Sequence, residues 1–261
     1  MAVDFFVRFN LHNSVSSSPL SVEVLKPLLN YGEDELDLML REIDEIQSDR
    51  AGRLRKKHPE AVGALIGKKV LFLGDSITSD NLGYRGAVTR AADLRGIDGA
   101  VSGGTSSALL HSAKRYIEKE APEIVSLMVG SNDSVSVDVA ELNQVSPSEY
   151  ERNVRAMVGW AKKSGAQVLL FEIPPIVEES FERNFSRQSK LQSNDTVKRY
   201  NGILCRIADD AGIRLISSEW LSECRDNYEP DGIHLSPCGQ ERFAESWLNA
   251  AAKLYNKGDI L

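Results

Sequence analysis

Four short stretches of the chain carry the residue types that acyl chemistry needs. Gly74-Asp75-Ser76-Ile77-Thr78 follows an apolar run at 70–73. The serine therefore sits where a strand turns into a helix, its hydroxyl near the unpaired N–H groups of the helix start. A serine hydroxyl is a weak nucleophile at neutral pH and needs an adjacent base. Asp231-Gly232-Ile233-His234 offers one. An aspartate three residues before a histidine can fold back, accept from one imidazole nitrogen and leave the other as a base. His12, His58 and His111 have no such neighbour and read as surface or packing residues. A tetrahedral oxyanion needs donors already in place. Ser102-Gly103-Gly104-Thr105 brings paired glycines, whose backbone can approach a ligand closely. Gly130-Ser131-Asn132-Asp133 brings a side-chain amide. Taken singly, each stretch also reads as a turn, a loop or a helix cap. Together they supply a nucleophile, a base, an orienting acid and oxyanion donors.

The elements that must position these residues alternate from Lys68 onward. Apolar runs at 70–73, 100–101, 124–129, 168–173 and 213–216 read as strands. Amphipathic stretches at about 84–95, 106–120, 147–164, 190–211 and 237–254 read as helices. Such alternation predicts a parallel sheet covered on both faces, with ligands bound beyond the carboxyl ends of its strands. The four stretches follow the first, second and third runs and the last one, where such a site is built. The polar segment 178–193 is expected as a surface loop.

Residues 1–66 differ. A short helix is expected from Pro19 to about residue 30. A longer one starts at Glu33, with Leu36, Met39, Leu40, Ile43, Ile46 and Leu54 on one face. Acids lead it and Arg50, Arg53, Arg55, Lys56 and Lys57 close it, which suits the helix dipole. The basic run reads as a solvated helix end, and Pro59 as the stop. The apolar face is expected to pack on the chain's own larger unit, with a second copy or another partner as the alternative.

Composition bounds the rest. The 261 residues include 31 Lys and Arg against 38 Asp and Glu, a formal net charge of −7. A mildly acidic surface disfavours nucleic acid as a partner. The three cysteines, Cys205, Cys224 and Cys238, are too few and too unevenly spaced for a disulfide framework or a zinc site. They read as free thiols, with Cys238 a packed or capping residue. No apolar run reaches the length of a membrane span, and residues 1–14 lack the apolar core of a signal peptide. Both readings favour the cytoplasm.

The four blocks, in this order, resemble the SGNH hydrolase superfamily, the GDSL-type lipases and esterases, over about residues 68–254. Ser76 matches the family's nucleophile, and Asp231 and His234 its acid and base. Gly103 matches the glycine whose N–H enters the oxyanion hole, with Gly104 beside it as the alternative. Asn132 matches the side-chain donor, and the N–H of Ser76 completes the hole. Ser148-Glu149-Tyr150 at a helix start and Pro174-Pro175 after a strand also look like the family. Where many members carry an asparagine before the second-block glycine, this chain has Asp98, Gly99 and Ala100.

The resemblance implies a three-layer α/β/α fold, flavodoxin-like, with a central parallel sheet of about five strands. Residues 67–261 form the catalytic domain and residues 1–66 an N-terminal, mainly helical extension. It implies a serine esterase working through an acyl-enzyme, with no metal or organic cofactor and a small-molecule ester as substrate. Acyl transfer by the same triad, or non-catalytic binding on the same fold, are the alternatives. Asp75 and Asp133 are expected to be structural. The loops near 78–85, 134–146 and 178–193 are expected to border the pocket. They are mostly polar, which favours small acyl groups such as acetyl on a polar or carbohydrate molecule.

Overall fold

In β1 (Lys69–Gly74), Val70 and Phe72 join the core on one face of a sheet, and Leu71 and Leu73 the core on the other. All four are fully buried, as a strand covered on both sides requires. The computed structural model describes residues 3, 5–10, 32–137, 142–185 and 190–255. β1 pairs in parallel with β2 (Arg95–Asp98) on one side and β3 (Ile124–Met128) on the other. A separate antiparallel ribbon joins β4 (Ser136–Val137) to β6 (Lys190–Leu191). β3 continues the main sheet to β5 (Gln167–Phe171), and β5 to β7 (Leu215–Ile216). The resulting order, β2-β1-β3-β5-β7, reverses direction between β1 and β3. The crevice at that reversal is where open α/β sheets bind ligands.

Two helical layers cover the sheet. Against Phe72, Ile124 and Met128 pack α2 (Glu33–Lys57), α3 (Pro59–Leu65), α5 (Tyr84–Ala91) and α10 (Pro237–Ala252). Against Leu71, Val125 and Leu127 pack α6 (Ser106–Glu120), α7 (Pro147–Lys163) and α9 (Asn194–Ala211). The remaining α-helices among the described residues are α1 (Phe5–Asn10), α4 (Ser76–Ser79) and α8 (Glu178–Phe185). Each fully buried Leu, Phe or Met contributes roughly 1.5–3 kcal/mol. The one polar side chain of β3, Ser126, accepts from the indole N–H of the buried Trp247 at 3.0 Å, so its burial leaves no unmet group. No helix among the described residues is long and apolar enough to cross a membrane.

The N-terminal helices join these layers. Ala51, Leu54, Val62 and Leu65 belong to the same core as Phe72 and Trp247. Leu36, Met39 and Ile43 close over Val7 of α1 and Leu82. The basic run that ends α2 is exposed to solvent, as expected, at Arg53, Arg55, Lys56 and Lys57, and part of it also reaches neighbouring helices. Arg53 pairs with Glu241 and Lys57 with Glu245, each at 2.6 Å on α10. Arg55 donates to the Ala91 and Arg90 carbonyls, and the buried Arg50 to that of Leu82. Pro59 does end α2, and it also opens α3 from its first turn, where its missing N–H costs nothing.

Other expectations shift. The second strand lies at Arg95–Asp98 rather than at 100–101. It is an edge strand with exposed residues, so it has no need of an apolar run. Residues 99–101 continue past it, with Gly99 donating to the Phe72 carbonyl and Val101 to that of Gly74. The segment 178–193, expected as a loop, contains α8 and the strand residues of β6. The buried Phe181 anchors α8 against Val135 and Ile176. Cys238 is exposed rather than packed, as are Cys205 and Cys224. The helix expected from Pro19, and His12, lie outside the described residues.

Candidate active site

β1 delivers Ser76 through a turn with no room for a side chain at Gly74. A Cβ there would stand 2.3 Å from Thr78 Oγ1 and 2.6 Å from the Met128 carbonyl of β3. Asp75 caps the short helix that follows, accepting from the Ile77 N–H at 3.1 Å. The hydroxyl of Ser76 is thereby presented at the first position of α4.

The partner of that hydroxyl comes from the other end of the chain. His234 Nε2 lies 2.9 Å from Ser76 Oγ, and His234 Nδ1 lies 2.6 Å from Asp231 Oδ2. The other oxygen of Asp231 accepts the N–H groups of Ile233 and His234, both at 3.0 Å. Burial would raise the pKa of Asp231, but the hydrogen bonds and charge of His234 outweigh it and hold the carboxyl below its ordinary range. Asp231 is thus an ionised acceptor. It favours the tautomer with a proton on Nδ1, which leaves Nε2 a lone pair toward Ser76.

The second and third blocks lie beyond β2 and β3. Gly103 is exposed with φ of 72° and open space around its Cα, a backbone conformation that glycine adopts without cost. The N–H of Gly104 donates to the Val101 carbonyl at 2.8 Å. The N–H groups of Ser76 and Gly103 have no acceptor among the described residues. Of the two adjacent glycines, Gly103 therefore has the N–H available to a ligand. Asn132 Nδ2 donates to the Gly104 carbonyl at 3.1 Å, which spends one of its two hydrogens.

The two other acids of these blocks face inward. Asp133 is fully buried and accepts the N–H of Ser106 at 3.0 Å and the Ser106 hydroxyl. Asn153 Nδ2 in turn donates to Ser106 Oγ at 3.1 Å and to Ser107 Oγ at 2.9 Å. This network ties the loop bearing Asn132 to the start of α6. Burial pushes the carboxyls of Asp75 and Asp133 up to about 6.

Two residues that sequence reasoning did not single out also meet the site. Phe9 of α1 packs on the His234 ring, and Arg8 bonds to both Asp80 and Glu229. They lie more than 200 residues from the histidine, and no local pattern links them to it. The other described histidines stay apart: His58 faces Glu245, and His111 lies on α6 beside Lys114 and Trp160. Arg85, expected at the pocket border, pairs with Asp98 at 2.9 Å. The helix α8 flanks the loop that bears His234, with the Val177 N–H donating to the Gly232 carbonyl at 2.8 Å.

Comparison with known proteins identifies the family. The model of the GDSL-like Lipase/Acylhydrolase family matches residues 72–242. The isoamyl acetate-hydrolyzing esterase 1 homolog of Rattus norvegicus is 29% identical over 197 residues, spanning 68% of this chain and 79% of that protein. An arylesterase of Vibrio mimicus is 24% identical over 194 residues, spanning 68% of this chain and 85% of its own. The crystal structure of TesA superposes with a TM-score of 0.56 at 23% identity, over 71% of this chain and 98% of its own. That likeness shows a shared fold.

Proposed function

The chain belongs to the GDSL-like lipase/acylhydrolase family and is an ester-bond hydrolase, and from that premise we propose that Ser76, His234 and Asp231 are its catalytic triad. Ser76 Oγ attacks the acyl carbon while His234 Nε2 takes its proton. Asp231 holds the ring and stabilises the imidazolium. The tetrahedral oxyanion is bound by the N–H groups of Ser76 and Gly103 and by Asn132 Nδ2. His234 then returns the proton to the leaving alkoxide, and the acyl group stays on Ser76. Water, deprotonated by the same Nε2, releases the acid. The observation that carries this reading is the pair of hydrogen bonds on His234, 2.6 Å to Asp231 and 2.9 Å to Ser76.

The substrate is a small acyl ester, acetyl before longer chains, on a polar or carbohydrate alcohol. Two observations support it. The rat relative is named for hydrolysis of an acetate ester, which supports the acetyl group but not the polar alcohol, since isoamyl alcohol is apolar. The helix flanking the His234 loop carries polar and charged residues, including Glu178, Glu179 and Arg183. The test is the rate on p-nitrophenyl esters of increasing acyl length, with wild type and Ser76→Ala. Turnover that falls with chain length and vanishes in the variant supports the proposal. A strong preference for long acyl chains would refute the substrate reading, and unchanged turnover in Ser76→Ala the assignment of the nucleophile.

A further inference from the structure

Resting on the assignment of His234 as base, we propose that Phe9 and Arg8 of α1 are positioning residues of the active site. Together they form a clamp that fixes the plane of the imidazole and fastens its loop to the turn bearing Ser76.

The need arises from how the histidine is held. Asp231 grips the ring at Nδ1, and Ser76 Oγ meets it at Nε2. Two bonds at the two nitrogens fix a line through the ring but not its plane, and a ring that turns about that line misaligns Nε2 with Ser76 Oγ. The Phe9 ring closes that motion. It lies 4.5 Å from the imidazole, centroid to centroid, at 44°, within the range of favourable aromatic contact. Phe9 is only 3% exposed, so it offers almost no surface to a substrate.

Arg8 does the same for the backbone. Its Nε and Nη2 grip both oxygens of Asp80 at 2.9 and 2.8 Å, a bidentate pair that fixes direction as well as distance. Asp80 ends the turn that starts at Ser76, and its N–H bonds the Ser76 carbonyl at 3.0 Å. The same guanidinium donates to Glu229 Oε1 at 2.5 Å and to the Leu235 carbonyl at 2.9 Å. Those acceptors bracket Asp231 and His234 on both sides. The guanidinium also sits 4.9 Å from the Phe9 ring centroid.

The clamp is itself anchored. Asn81 donates its backbone N–H to the Arg8 carbonyl at 2.8 Å and its side-chain amide to the Val7 carbonyl at 2.9 Å. Val7 is buried among Leu36, Met39, Ile43 and Leu82. The N-terminal helices, outside the family match at 72–242, thereby bear on the reacting groups.

The test is steady-state kinetics of the full chain on p-nitrophenyl acetate for Phe9→Ala, Phe9→Leu, Arg8→Ala and Arg8→Lys, beside wild type and Ser76→Ala. A misplaced base slows chemistry without weakening binding, so Phe9→Ala is expected to lower kcat about 10–10²-fold with KM within about threefold. Phe9→Leu keeps apolar bulk but not a flat ring and is expected to lose part of that rate. Lysine has three donors for the four oxygens that Arg8 holds and cannot grip both oxygens of Asp80 while reaching Glu229 and Leu235, so Arg8→Lys is expected to be nearly as slow as Arg8→Ala. If an alanine variant fails to fold, Phe9→Leu and Arg8→Lys decide the matter. Values of kcat within about twofold of wild type in Phe9→Leu and Arg8→Lys overturn the proposal, as does a loss confined to KM. Activity that survives Ser76→Ala overturns instead the triad on which it rests.

Discussion

His234 Nε2 lies 2.9 Å from Ser76 Oγ although 158 residues separate the two in the chain. The contact joins the carboxyl end of the first strand to the loop that precedes the last helix. In the proposed mechanism it places a base on a hydroxyl that would otherwise be unreactive.

Asp231 tests the tautomer argument. In Asp231→Asn the side chain keeps its shape, but its amide group can donate where the carboxylate only accepts. The imidazole then shows the wrong nitrogen to Ser76, and kcat is expected to fall roughly 10³–10⁴-fold. Steady-state kinetics measure this; a loss below tenfold would mean that Asp231 does not set the tautomer.

Asn132 tests the oxyanion site. One amide hydrogen is spent on the Gly104 carbonyl, and the proposal assigns the other to the substrate's oxyanion. Asn132→Ala is expected to lower kcat about 10²–10³-fold with little change in KM. An effect on KM alone would assign Asn132 to ground-state binding.

The buried acids make stability depend on pH. The carboxyls of Asp75 and Asp133 are pushed up to about 6 in the folded chain, against about 3.9 in an unfolded one. Between those values the folded state holds protons that the unfolded state has lost. Stability therefore falls as pH rises from about 4 to about 6, by up to about 3 kcal/mol per group. Asp231, whose pKa is lowered, works the other way: its contribution is present above about 4 and is lost as pH falls below that. Urea unfolding at a series of pH values should show a falling limb that is shallower in Asp133→Asn. An identical limb in the variant would contradict the account.

Gly74 tests the nucleophile turn. An added Cβ meets Thr78 Oγ1 and the Met128 carbonyl well inside contact distance. Gly74→Ala is expected to cost about 1–3 kcal/mol, as overpacking does. Denaturant midpoints measure it, and an unchanged midpoint would show that the turn has slack.

Much of this site was legible because each block carries its own local reason. Ser76 stands at the junction of a strand and a helix, and Asp231 is spaced to fold back on His234. The layers were legible for the same reason, since runs such as 70–73 and 124–129 must be covered on both faces. The edge strand Arg95–Asp98 was not, because an edge needs little apolar surface. Helix α8 was missed because a single buried phenylalanine, Phe181, anchors a largely exposed segment. Arg8 and Phe9 were invisible for a different reason. Their partners, Asp80, Glu229 and His234, are assembled only by the tertiary fold.

Covalent labelling of the nucleophile tests the central claim most directly. Intact and peptide mass spectrometry would follow the full chain after exposure to an organophosphonate ester. The account predicts a single adduct on Ser76, absent in Ser76→Ala and formed far more slowly in His234→Ala. No adduct, or an adduct on another residue with Ser76 unmodified, would contradict it.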